Sequence, residues 1–217
     1  MITLHYDPSN ASFAPHVLLH EIGAPFELAL VDRTKNAHKS PAYLALNPNG
    51  LIPVLLDGEL VLYETAAILM HLADRQPAAS LAPALGTAER AQFYKWMLWL
   101  SNTMQATLIH YFYPERVVDE GNAEGAAQVE AHAEAKVAAC LAQFDAQLAR
   151  HGGPWLLGAD YSAADPLAFM LCRWTRGFKR QRPARGHAHI GPYLQRMLAR
   201  PAVQRAVAAE KLPPPIV

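Results

Sequence analysis

Every strand signal in this chain lies before residue 64, and everything beyond about residue 87 reads as helix. Ile2-Thr3-Leu4-His5-Tyr6 alternates apolar and polar residues until Asp7-Pro8 stops it. Phe13, Val17, Leu18 and Ile22 then recur at helical spacing, with Gly23 as the stop. Phe26 to Val31 reads as a second strand. After a loop, Val54-Leu55-Leu56, Asp57-Gly58 and Leu60-Val61-Leu62-Tyr63 form a hairpin pattern with an Asp-Gly turn. Ala66, Ile68, Leu69 and Leu72 open the next helix. This order predicts a mixed sheet with helices on its faces.

The pattern changes after Asp74. Arg75 to Gly86 holds Pro77, Pro83 and Gly86 without periodicity and reads as a linker. A long aromatic-rich helix is predicted from Thr87 to about Pro114. Val129, Ala133, Val137, Cys140, Phe144 and Leu148 step by three or four along another. Ser162-Ala163-Ala164-Asp165 is a start signal close to a capping box, and Leu167 to Trp174 is apolar enough to be central. A final helical stretch, Pro192 to Lys211, is broken at Pro201. The expected architecture is α/β plus all-α: a domain over residues 1–78 and a helical domain over 87–217.

Composition narrows the functional classes. At 52% hydrophobic and 18% charged, the chain is too apolar to stay disordered. Nineteen Lys and Arg against nineteen Asp and Glu leave no net charge, so nucleic acid is not an expected partner. Between Lys95 and Glu115 no charged residue occurs, but Ser101, Asn102, Thr103, Gln105, Thr107 and His110 interrupt the run, so no membrane span is expected. Cys140 and Cys172 form no paired motif, and no secretory pattern begins at Met1. A cytoplasmic setting is the expectation.

Four short segments carry candidate chemistry. In Asn47-Pro48-Asn49-Gly50-Leu51-Ile52-Pro53-Val54-Leu55, a proline opens a strand, where a sharp turn could expose the Ile52 backbone to an extended ligand. By base rate alone a trans bond before Pro53 is the simpler expectation. In Tyr63-Glu64-Thr65, an acidic residue and a hydroxyl sit at a helix start, suited to an ammonium and a carboxylate or simply to capping. Ser9, Asn10 and Ser12 stand between the first strand and first helix, where each could cap the helix or hold an anion. His16 and His20 are four apart but lack further ligands, so no metal is expected.

In this order, the strand ending in Tyr6-Asp7-Pro8, the Asn47–Leu55 segment, Glu64-Thr65 and Gly158-Ala159-Asp160-Tyr161-Ser162-Ala163-Ala164-Asp165 resemble a cytosolic glutathione S-transferase over essentially the whole chain. The bacterial beta class is nearest. The resemblance implies a thioredoxin-like domain followed by a helical bundle domain, and a homodimer. It also implies that glutathione is the co-substrate, conjugated to a small hydrophobic electrophile. Ile52, with Pro53 cis, would then pair with the cysteinyl unit, and Glu64 and Thr65 would hold the γ-glutamyl end. Lys35 looks like the lysine beta-class members use at the glycyl carboxylate, a task that His38 or Lys39 could share.

The chain also departs from that class. Ala11 stands at the expected cysteine, Gln105 at a companion histidine, and Asn10 where other classes carry a serine. Ser12 is the first expected thiol activator, Asn10 the second and Ser9 the third. Tyr111, Phe112, Tyr113, Arg116, Phe169 and Trp174 are candidates for the electrophile pocket. Two alternatives stand beside conjugation: a glutathione-binding or interaction protein without catalysis, and a glutathione-dependent isomerase or dehalogenase.

Overall fold

The computed structural model describes residues 1–217. A four-stranded sheet is built from β1 (Ile2–Tyr6), β2 (Phe26–Leu30), β3 (Val54–Asp57) and β4 (Leu60–Tyr63), in the order β2-β1-β3-β4. The β1–β2 pair is parallel, whereas β3 is antiparallel to both β1 and β4. Helix α1 (Phe13–Ile22) makes the crossover between the parallel strands, as such a pair requires.

The register decides where the loops gather. Tyr6 pairs with Leu30, His5 with Val54, and Val54 with Tyr63. The ends of β1, β2 and β4 and the start of β3 therefore lie at one edge of the sheet. Residues 7–12, 31–39, 51–53 and 64–65 emerge side by side, although up to fifty-odd residues separate them in sequence.

Helix α2 (Pro41–Leu46) lies in the stretch expected to be loop. It is only six residues long, too short for a periodic signal. It starts with Ser40, whose side chain accepts from the Tyr43 N–H, and with Pro41 at the first helical position. Helix α3 (Thr65–Arg75) follows β4. These elements give the thioredoxin-like fold. The linker contains one short turn of 3-10 helix, Pro77–Ala79.

The helical part comprises α4 (Ala88–Trp99), α5 (Ala106–Phe112), α6 (Ala123–His151), α7 (Ala164–Trp174), α8 (Ile190–Leu198) and α9 (Pro201–Ala209). Between α4 and α5, Leu100–Gln105 is wound as π-helix, so the single long helix expected there carries a widened turn. Helix α7 is buried from Ala164 through Arg173. Its start is held by Asp165, which accepts from the N–H groups of Ser162 and Leu156.

Phe13 through Leu19 of α1 are all buried. That helix is covered on one side by the sheet and on the other by α7 and α9, so an apolar stripe on a single face would not suffice. One core of 44 buried residues runs from Ile2 and Leu4 through α1 into α7 and α9. The two halves are thus joined by a continuous apolar interior.

Candidate active site

The sheet edge faces α5 and the end of α7 across a cleft. Asn10, Ala11, Arg33, His38, Lys39, Leu51 and Ile52 line a cavity of 460 Å³ on the sheet side, opposite Gln105, Ile109, Tyr113, Arg116 and Trp174. An adjoining cavity of 210 Å³ is lined by Ser9, Asn10, Arg33, Ile109, Phe112, Tyr113, Trp174 and Arg176. Volumes of a few hundred Å³ suit a small molecule. Arg33 Nη2 donates to Tyr113 Oη across the cleft at 3.2 Å.

The Ile52–Pro53 bond is cis. Ile52 is only 8% exposed, yet neither its N–H nor its C=O has a hydrogen-bond partner in the protein. Most backbone groups in so enclosed a residue are paired within the protein, and Ile52 instead lines the cleft. The preceding residue is held firmly: the Leu51 carbonyl accepts from Asn47 Nδ2 and from Tyr43 Oη, both at 2.8 Å. Burial raises the Tyr43 phenol, keeping it a donor. Gly50 has φ +60, and a Cβ there would stand 2.8 Å from Lys39 Nζ and 2.9 Å from the His38 carbonyl. Only glycine allows that close approach.

Glu64 adopts φ 73, ψ 114, outside the usual regions for a residue with a side chain. Its carboxylate makes no capping bond and is exposed beside the free N–H groups of the first turn of α3. Thr65, at that terminus, is buried. An acid next to unpaired backbone donors can hold a zwitterionic amino-acid end.

The three candidate thiol activators differ in placement. Ser12 is fully buried, and its hydroxyl donates to the Asp7 carbonyl at 3.1 Å and lies 3.2 Å from the Asp7 N–H. Its proton is already committed, which removes the side chain first expected. Ser9 and Asn10 both line the cleft. Ser9, at φ 67, is held by the helical half: Arg173 Nη1 donates to its Oγ at 2.9 Å, Trp174 Nε1 to its carbonyl at 3.3 Å, and its N–H donates to Glu210 Oε2 at 2.8 Å. Because the Ser9 oxygen accepts from a cation, its own proton remains to be donated. Burial lowers Arg173 to about 10, so it stays charged near neutral pH.

Other expectations are redistributed. Lys35 lies outside the cleft, its side chain 82% exposed and 3.3 Å from Asp32 Oδ2. Arg33, two residues earlier, occupies the cleft instead; a 3-10 turn separates their directions. His38 and Lys39 do line it, and burial lowers His38, favouring the neutral ring. Of the residues expected at an electrophile pocket, Phe112, Tyr113, Arg116 and Trp174 line the two cavities. Phe169 does not: it is fully buried, packed against Phe13 at 6.2 Å between ring centroids. Tyr111 is likewise interior, 4.7 Å from the Phe178 ring. Ile109 and Arg176 were not among the candidates, and nothing in their local sequence marks them. No group of three or more His, Cys, Asp or Glu side chains is positioned for a metal.

Residues 1–74 match the family model described as the N-terminal domain of glutathione S-transferase, and residues 108–210 match that of its C-terminal domain. Glutathione S-transferase 3 of Zea mays is 35% identical over 212 residues, covering 91% of this chain and 89% of its own. This chain belongs to the glutathione S-transferase family. Glutathione S-transferase GstA of Escherichia coli O157:H7 is 31% identical over 213 residues, covering 96% of this chain and 98% of its own. A solved glutathione transferase homolog from Sulfitobacter, with bound glutathione, superposes with a TM-score of 0.88 at 30% identity, covering 98% of this chain and 99% of that one. The family's beta class is also represented, by a Sphingomonas chungbukensis enzyme at TM-score 0.81 and 30% identity. Residues 1–74 of this glutathione S-transferase contain no cysteine, and Ala11, in the loop after β1, carries no thiol or hydroxyl.

Proposed function

We propose that this chain binds glutathione along the sheet edge and presents its sulfur as thiolate to an electrophile held against α5 and α7. The single observation that carries this reading is the unpaired, buried backbone of Ile52. An extended peptide lying antiparallel to residues 51–53 would satisfy both groups, as strand addition does. Glu64 then takes the γ-glutamyl ammonium, Thr65 and the start of α3 its carboxylate, and Lys39 with His38 the glycyl carboxylate.

The chemistry needs little more. A thiol of pKa about 8.5 must drop by about two units, roughly 2.7 kcal/mol, to be mostly ionised at neutral pH. A hydrogen bond to a charged group supplies about 1.5–3 kcal/mol and a helix N-terminus about 0.3–1 kcal/mol. The Ser9 hydroxyl backed by Arg173, the Asn10 amide and the Ser12 backbone N–H at the start of α1 are therefore sufficient, and Ser9 is the foremost of them. On an aryl halide the C–S bond forms as the carbon–halogen bond breaks. The halide leaves with the electron pair, and the thiol proton passes to solvent.

Several features support a homodimer. Leu60 and Val61 on the edge strand β4, and Tyr94 and Leu98 one turn apart on α4, are exposed apolar residues. A cytoplasmic setting accords with two free, buried cysteines. No helix is long and apolar enough to cross a membrane.

Calorimetric titration with glutathione, followed by turnover of a generic aryl halide, tests the reading. Glu64→Ala should weaken glutathione binding by roughly tenfold or more, the cost of one charged hydrogen bond. Absence of any binding heat in the unmodified protein would refute the assignment. Binding without turnover would make the chain a glutathione-binding protein.

A further inference from the structure

Three arginines surround the aromatic half of the cleft without a carboxylate partner. Arg33 and Arg176 line the cavity walled by Phe112, Tyr113 and Trp174, and Arg116 lines the adjoining one. The Arg116 guanidinium lies over the Tyr113 ring, 3.8 Å from its centroid. Arg33 donates to the Tyr113 hydroxyl, and Arg176 Nη1 donates to the Arg173 carbonyl at 3.1 Å. None of the three takes part in an ion pair, although Lys35, Arg75, Arg90, Lys179, Arg180 and Arg200 all do. Each guanidinium has five N–H donors, so most remain unused.

No Asp or Glu lines either cavity. Asp7, the acid nearest in sequence to the loop of Ser9 and Asn10, is not among the residues that line the cavities. The walls of both cavities thus carry arginine without a facing acid. Glutathione does not account for all of it: in the reading above, its glycyl carboxylate lies with Lys39 and His38, beside Gly50, and its γ-glutamyl end at Glu64. Arg116 and Arg176 belong to the opposite wall, contributed by the helical part. Guanidinium forks beside aromatic faces suit a flat, anionic ligand, the charge taken by the arginines and the ring by the aromatics.

We propose that the second substrate is an anionic electrophile, an unsaturated or haloaromatic carboxylic acid whose carboxylate is held by Arg116 and Arg176 while its ring stacks among Phe112, Tyr113 and Trp174. This rests on the transferase reading and replaces a purely hydrophobic electrophile by a charged one. With an enone acid, the thiolate sulfur forms a bond to the β-carbon. The C=C π pair moves to the carbonyl oxygen as enolate, which then takes a proton from water, and nothing leaves.

Ethacrynic acid and its methyl ester share one enone and differ in the carboxylate. The acid should show a kcat/KM about tenfold or more above the ester's at low ionic strength, falling toward the ester's as salt is raised. In the double variant R116Q/R176Q, both positions being exposed, the acid-to-ester ratio should fall by about tenfold. Calorimetric binding of each compound without glutathione reads the same site independently of catalysis. Tighter binding of the acid, lost in the variant, upholds the anion site even if neither compound is turned over, and in that case only the transferase reading fails. Equal turnover and equal binding of acid and ester overturn the anion site and leave the transferase reading standing. A preference for the acid that survives in R116Q/R176Q also overturns it.

Discussion

The guanidinium of Arg173 donates to the hydroxyl of Ser9 at 2.9 Å, joining the helical half to the β1–α1 loop across 164 residues of chain. Arg173 is 1% exposed, and its Nε finds no partner. A buried guanidinium with so few acceptors is costly, and a purely structural core would be better served by an apolar side chain. Its position suits the role proposed for Ser9: it donates to the Ser9 oxygen and leaves the hydroxyl proton free to be donated elsewhere.

Ser9→Ala should raise the pKa of bound glutathione by roughly one to two units, the value of one hydrogen bond to a charged acceptor. Ser12→Ala should leave that pKa in place and instead lower stability by about 1–3 kcal/mol, because the Asp7 backbone loses its partner. Thiolate absorbance against pH measures the first and chemical denaturation the second. The reverse pattern would return Ser12 to the role.

His16 and Glu210 form a buried pair, Nδ1 to Oε1 at 2.9 Å, with neither side chain exposed. Glu210 Oε2 also accepts the Ser9 N–H. Glu210→Leu removes both contacts and strands His16, so stability should drop by about 3–5 kcal/mol. The urea midpoint should fall with an unchanged slope, and glutathione KM should rise as Ser9 loses its anchor. A wild-type midpoint in this variant would show that the pair contributes nothing.

Asp165 is fully buried, and despite four hydrogen-bond donors its carboxyl is pushed up to about 6 by burial. The folded state therefore binds this proton more tightly than the unfolded chain, where the group titrates near 3.8. Its contribution to stability is full below about pH 4 and is lost as pH rises to about 6, on the order of 2–3 kcal/mol. The stability difference between wild type and Asp165→Asn should shrink across that window; a flat difference would mean the carboxylate is as well solvated inside as out.

His20 has the opposite sign. Burial, then the charges of His16 and Arg205, lower it to about 4 from 6.5. The unfolded chain takes up this proton first, so stability falls as pH drops from about 6.5 to 4. His20→Gln should therefore lose less stability over that range than wild type does. Since His20 and Asp165 act oppositely in overlapping windows, only the single variants, followed by denaturation at several pH values, separate them.

Much of the molecule was legible locally. The alternation of Ile2–Tyr6, the hairpin at Asp57-Gly58, the stop at Gly23 and the Ser162–Asp165 start are decided within a few residues, and the structure keeps them, with the hairpin's turn one residue later, at Gly58 and Glu59, because Asp57 pairs with Leu60. The loop segments at 9–12, 51–53 and 64–65 read locally as turns and caps, and the resemblance to the family is what made them candidate binding elements. Helix α2 and the π turn at Leu100–Gln105 were not. The first is too short to show a period, and the second differs from α-helix only in its hydrogen-bond offset.

What the sequence by itself determined is the order of strands and helices, their caps, and the set of residues near the sheet edge, because periodicity and capping act over one or two turns of chain. Only the tertiary structure decided among those residues. Ser9 rather than Ser12 faces the cleft because Arg173, Trp174 and Glu210 hold it there from 164 to 201 residues away. Arg33 rather than Lys35 reaches inward because Tyr113, eighty residues on, accepts its N–H. A side chain's direction in a loop is set by what packs against it, and those partners are remote in sequence and adjacent only once the core has closed.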